Sequence, residues 1–211
     1  MLMTIKQEGQ SGKKSEAKDV LTDEEVQKLM AASGGGALGS RMRCIMAFMW
    51  LSGLRISEVL SLKPSDLLWN TNQVRVRVSK YGSGGNPPMP NALRPYIDAW
   101  LAHRSRVKLP KDSPLFCVLS KNPGKSIHPK AIWLRMKNLG EKVLPGKKVH
   151  PHLFRRTCAT RNLRRGYDIT EVATLLRHKS TASTHKYLTL AKAQILADKM
   201  KDEDKEIFSE N

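Results

Sequence analysis

Between His150 and Tyr187 the chain gathers residue types that handle phosphate esters. His150-Pro151-His152-Leu153-Phe154-Arg155-Arg156-Thr157 is followed by Leu175-Leu176-Arg177-His178-Lys179-Ser180-Thr181, and a tyrosine stands nine residues after His178. His152 and Arg155 are three apart at an expected helix start, so their side chains point the same way and place a base beside a phosphate-binding fork. Upstream, Arg55 follows Gly53, has Glu58 at i+3 and offers a second guanidinium. Lys80 sits where an expected hairpin ends, able to reach outward on a loop. Each feature alone has an ordinary reading: a histidine at a helix start is commonly a cap, a single tyrosine a packed aromatic, and an Arg–Glu i,i+3 pair a solvated ion pair.

The elements that must position these residues are mostly helical. Thr22-Asp23-Glu24-Glu25 reads as a capping box before Val26, Leu29 and Met30, so the first helix begins there. Ser33-Gly34-Gly35-Gly36 breaks that helix, and Arg41 to Leu51 is too long and too poor in turn formers for a strand, which predicts a core helix closed by Gly53. A short helix over Ile56, Val59 and Leu60 stops at Lys63-Pro64. Leu67–Trp69 and Val74–Val78 are rich in β-favouring residues, with Asn70-Thr71-Asn72 as the turn, and a third short strand is expected around Met89. Helices are expected from about Ala92 to His103, over 129–142, 153–165, 170–176 and 181–188, and again from about 191.

Charge is uneven over the 211 residues, whose 37 Lys and Arg against 19 Asp and Glu leave a net +18. Residues 41–146 hold 18 basic and 5 acidic side chains and residues 147–187 hold 10 and 2, while both ends are slightly acidic. An excess spread over this much sequence suits a polyanionic partner. The apolar content of 40% argues against a disordered polycation, and the longest apolar stretch, Cys44 to Leu51, is far too short to span a bilayer. The opening residues lack a hydrophobic signal core, which predicts a cytoplasmic, nucleoid-associated protein. Cys44, Cys117 and Cys158 are too widely spaced for a disulfide framework or a paired-cysteine zinc site.

Taken in order, Gly53-Leu54-Arg55-Ile56-Ser57-Glu58-Val59-Leu60, the hairpin lysine Lys80, His152-x-x-Arg155, Leu175-Leu176-x-His178-Lys179-Ser180 and Tyr187 resemble the tyrosine recombinases, the phage integrase family. The resemblance covers roughly residues 20–190. It implies an α+β, mainly α-helical catalytic domain with a small three-stranded antiparallel sheet. It also implies double-stranded DNA as substrate, a 3′-phosphotyrosine intermediate, and a homo-oligomer on DNA, with four copies in the synapse. In that chemistry Tyr187 attacks the scissile phosphorus, Arg55 and Arg155 hold the non-bridging oxygens, and His178 adds a donor. His152 takes the phenol proton and Lys80 protonates the departing 5′ oxygen. Because the phosphotyrosine conserves the ester bond, resealing needs neither metal, ATP nor other cofactor. Glu58 either orients Arg55 or forms a solvated ion pair with it.

Three departures stand out. His152-Leu153-Phe154-Arg155-Arg156 replaces the family's His-x-Leu-Arg-His, leaving Arg156 as a supporting residue toward DNA phosphate or a neighbouring subunit. Leu176-Arg177-His178 replaces Leu-Gly-His. Residues 1–19 read as a flexible leader, so no helical core-binding domain is expected ahead of the catalytic one. Residues 191–211 are expected to form a tail helix, with Ile195, Leu196, Met200 and Ile207 as an interrupted apolar stripe, docking on its own domain or on a neighbour. The same residues also suit a type IB topoisomerase-like or telomere-resolving enzyme, and a DNA-binding module that keeps the fold without cutting.

Overall fold

Thr22 opens the first helix, α1 (Asp23–Ala31), as its sequence predicts: the hydroxyl accepts from the Glu25 amide at 3.2 Å, and the Glu25 carboxylate accepts from the Thr22 amide at 2.9 Å. The computed structural model describes residues 20–77, 84–178, 180–182, 184, 185, 187–189, 191–193, 195, 196 and 200. After the glycine break, α2 (Gly36–Leu51) carries buried residues on every face from Cys44 to Leu51, the pattern of a helix surrounded by others. It packs against α4 (Arg94–Arg104) and α6 (Pro151–Arg164). Phe48 meets Phe116 edge-on at 5.8 Å, Trp100 stacks on Phe116 at 6.1 Å, and the Trp100 indole N–H donates to the Leu115 carbonyl at 2.9 Å. The remaining long helix, α5 (Pro129–Val143), closes one side against α1 and the short α3 (Ile56–Ser61).

The sheet is smaller than expected. Among the described residues it has two strands instead of three: β1 (Leu67–Leu68) and β2 (Gln73–Val74) run antiparallel, with Leu67 opposite Val74 and Leu68 opposite Gln73. Trp69–Thr71 form a single 3₁₀ turn between them, and Asn72 takes the left-handed conformation that closes it. The segment expected as a third strand contributes only isolated bridges, Gln73 to Pro88 and Val76 to Gly85. The reason lies in its prolines. The Pro87 carbonyl accepts from the Val74 amide at 2.9 Å, but Pro87, Pro88 and Pro90 have no N–H to return, so a continuous ladder cannot form. Val78 lies outside the described residues.

The last element with a full set of described residues is α7 (Ile169–Leu176), capped by Asp168, whose carboxylate accepts from the Thr170 and Glu171 amides. Every described residue from 182 to 200 is helical. A second, smaller apolar cluster joins this end of the chain to α6 and α7: Ala159, Leu163, Val172, Leu176, Tyr187 and Ala191. Among the described residues no helix is long and apolar enough to cross a membrane.

Candidate functional site

Arg55 is the N-cap of α3, and its amide donates to Glu58 Oε2 at 2.7 Å while its Nη1 donates to Glu58 Oε1 at 2.8 Å. Of the two sequence readings of this pair, the solvated one does not fit: Glu58 is 3% exposed. The carboxylate lies between three arginines, bonded to Arg55 and to Arg177 Nη2, with Arg155 Nη1 at 3.9 Å. Burial alone would push the Glu58 carboxyl up. Arg177 first, then the Arg55 amide and guanidinium, then Arg155 outweigh it and hold the carboxyl below its ordinary value.

Arg155 rises from the second turn of α6 and is buried. Its Nη1 donates to the Gly53 carbonyl and its Nη2 to the Leu176 carbonyl, tying the segment before α3 to the end of α7. Gly53 is required for this approach. It sits at φ 63°, and a Cβ there would lie 2.6 Å from Leu176 Cδ2 and 3.3 Å from Cys158 Sγ. Burial, with Arg55 nearby and only partial relief from Glu58, pulls the Arg155 guanidinium down to about 10, so it is a full cation at neutral pH. With two of its five N–H groups on carbonyls, it keeps donors for a phosphate.

The end of α7 brings in the histidine. The Arg177 amide donates to the Thr174 carbonyl and the His178 amide to the Ala173 carbonyl, both at 2.9 Å, a Schellman ending with Arg177 left-handed. His178 Nδ1 stands 2.8 Å from the hydroxyl of the buried Thr184, which fixes the ring, and the His178 and Tyr187 rings lie 6.3 Å apart. Tyr187 is 9% exposed, and its phenol is close enough to Arg155 to act on that charge. Arg55, Glu58, Arg155, His178 and Tyr187 thus come from four separate stretches of sequence into one neighbourhood.

His152 is exposed at the start of α6, with its ring 6.5 Å from that of His150. Half-buried His150 is held below its ordinary value by burial first, then by His152 and Arg156. Arg156 is itself half-buried beside this pair. Lys80 lies outside the described residues. Sequence reasoning missed Arg177 as a partner of Glu58 and Thr184 as a partner of His178. The first had a visible signal, an arginine where the resembling family has glycine; the second had none.

Replacing Glu58 by glutamine would leave three guanidinium groups around a neutral amide, and removing one partner of a buried ion pair typically costs about 3–5 kcal/mol. A carboxyl with a lowered folded-state value stabilises above its ordinary 4.5 and loses that contribution as pH falls through the folded value. Glu58→Gln should therefore be strongly destabilising at neutral pH and nearly neutral in acid, below the folded value. Denaturant unfolding of both proteins at the two pH values checks this; an equal deficit at both would show that charge on Glu58 is not what matters.

The model of the phage integrase family matches residues 19–194. Tyrosine recombinase XerA of Pyrococcus furiosus is 35% identical over 168 residues, 79% of this chain and 56% of that protein. Tyrosine recombinase XerC of Pseudomonas aeruginosa is 33% identical over 171 residues, 80% and 54%. The chain spans little more than half the length of these curated relatives. The crystal structure of XerA recombinase superposes with a TM-score of 0.72 at 26% identity, over 85% of this chain and 64% of that one. The XerH site-specific recombinase bound to its difH substrate shares the fold, with a TM-score of 0.67 at 19% identity over 80% and 49%. With three arginines gathered about Glu58, Tyr187 beside His178 and nearly its whole described length matched, the chain belongs to the phage integrase family, the tyrosine recombinases.

Proposed function

We propose that this chain is the catalytic domain of a site-specific DNA recombinase that cuts and rejoins double-stranded DNA through a 3′-phosphotyrosine at Tyr187. The observation that supports it most is the convergence of Arg55 and Arg155 on Glu58, with the His178 and Tyr187 rings 6.3 Å apart and Tyr187 close enough to Arg155 to act on its charge. In this reading the Tyr187 oxygen attacks the scissile phosphorus while the two guanidinium groups neutralise the non-bridging oxygens as charge builds on them. His178 donates to the same oxygens, His152 takes the phenol proton, and Lys80 gives one to the leaving 5′ oxygen. The P–O5′ bond breaks as the P–O(Tyr) bond forms, and the 5′-hydroxyl of an incoming strand reverses the exchange. Arg156, on the same helix as His152, supports the site from the side facing phosphate or a neighbouring subunit. The test is a duplex nicked just downstream of the scissile phosphate, so that the short fragment carrying the freed 5′-hydroxyl diffuses away after cleavage. Protein retained on that DNA through denaturation supports the reading, and its absence at every concentration defeats it.

The acting species is a homo-oligomer, four copies on two sites, with the tail helix docked on the neighbour. Its beginning belongs to its own domain, since Ala191 is fully buried beside Tyr187, but Leu196 and Met200 are 61% and 57% exposed. The rest of the tail lies outside the described residues. Truncation after Ala193 keeps the buried contact. It should leave a folded monomer that binds one site but loses cooperative pairing of two sites in sedimentation and gel-shift assays. Pairing that survives truncation would assign the tail to its own domain.

A further inference from the structure

Arg177 occupies φ 53°, ψ 46°, a left-handed conformation that glycine adopts freely and that is unfavourable for a residue with a Cβ. The helix ending requires that conformation, which a glycine would supply without a guanidinium. The side chain nevertheless turns inward, leaving the residue 8% exposed. Nη2 reaches Glu58 Oε2, Nη1 donates to the Leu175 carbonyl at 3.1 Å, and Nε has no hydrogen-bond partner among the described residues. Gly85 passes close enough that a Cβ on it would lie 3.4 Å from Arg177 Cδ. A strained backbone and a buried cation with an unpaired N–H are both unfavourable, so the contact with Glu58 must offset them.

The acceptors on Glu58 show what that contact does. Oε1 takes Arg55 Nη1, and Oε2 takes both the Arg55 amide and Arg177 Nη2. Arg155, at 3.9 Å, stays beyond hydrogen-bond distance and gives its donors to the Gly53 and Leu176 carbonyls instead. We propose that Arg177 is a positioning residue of the reaction centre: by filling Glu58 Oε2 it keeps Arg155 off the carboxylate and turned toward the phosphate. Through its own backbone it also ties His178, the next residue, to the carboxylate that orients Arg55. Without it, Arg155 Nη1, 3.9 Å from that oxygen, moves onto the place Arg177 leaves, and doing so breaks its bonds to the two carbonyls that set its direction. This inference rests on the cleavage reading above.

Arg177→Gly tests it, because glycine relieves the backbone while deleting the guanidinium, so the variant should fold. On the nicked duplex, single-turnover cleavage should slow on the order of 100-fold, the cost of about 1 Å of misplacement, with parental DNA affinity and salt dependence. The acid limb of the pH–rate profile should move to higher pH, because Glu58 loses the strongest of the cations, Arg55, Arg155 and Arg177, that face it. Arg177→Lys should recover part of the rate. A double variant with Glu58→Gln should be no slower than Glu58→Gln alone. A parental rate and acid limb in Arg177→Gly would overturn the role. So would a double variant slowed by the product of both effects, which means action independent of Glu58, or a loss of DNA affinity with a shallower salt slope, which means a phosphate contact. A parent that never forms the adduct defeats the cleavage reading itself, whereas a cleaving parent with an equally active Arg177→Gly defeats only this inference.

Discussion

Tyr187→Phe should abolish covalent attachment to DNA while leaving folding and non-covalent binding nearly unchanged. The substitution removes one oxygen and keeps the ring, and the ring is what packs with Ala159, Leu163, Val172, Leu176 and Ala191. In the proposed reaction the lost oxygen is the nucleophile, and the phenyl ring that remains cannot form the same ester bond. Denaturing gels of protein with nicked duplex read the adduct, and gel shifts under native conditions read binding. An adduct that persisted would move the nucleophile to another tyrosine. Of those within the described residues, Tyr167 is 52% exposed in the turn after α6, and Tyr96 is packed against the main core from α4. Neither has the histidine contact that Tyr187 has.

The second large effect concerns Arg55 and Arg155, the guanidinium groups proposed to hold the phosphate, and their burial predicts different behaviour. Arg55→Ala should lower cleavage by about 10²–10³, the loss typical of one preorganised transition-state donor. Its side chain is 23% exposed, and Glu58, at 2%, keeps Arg177 and the amide of residue 55 as partners, so the loss of stability should be smaller than for Arg155. Arg155→Ala should lose at least as much activity and also destabilise the fold, because the buried carbonyls of Gly53 and Leu176 lose their donor at about 1–3 kcal/mol each. Lysine should rescue either position poorly, since a single ammonium cannot span two oxygens. Cleavage rates set beside unfolding curves check both variants. A lysine variant as fast as the parent would show that charge alone suffices, and an Arg155→Ala protein as stable as the parent would contradict the contacts described for it.

The prolines around the missing third strand show where sequence pattern misleads. A third strand is expected around Met89, after the loop that follows the hairpin, yet whether a segment joins a ladder depends on donors, and Pro87, Pro88 and Pro90 supply none. The helices were legible because their signals are local: the Thr22 capping box, the glycine break after the first helix and the unbroken apolar run of α2 each act within a few residues.

For the site, residue types and their order were enough to name Arg55, Arg155, His178 and Tyr187 as candidates, because a phosphodiester reaction calls for guanidinium forks, a donor and a hydroxyl nucleophile, and this sequence holds them in the family's order. What it could not decide was how Glu58 spends its charge. Arg55 is its neighbour in sequence, but Arg177 lies 119 residues away and Arg155 reaches it from another helix. Whether that carboxylate is a solvated partner of one arginine or the buried hub of three depends on how α3, α6 and α7 pack. Burial and the count of facing cations exist only once the chain has folded, because the desolvation that makes the charge of Glu58 consequential is produced by the packing itself.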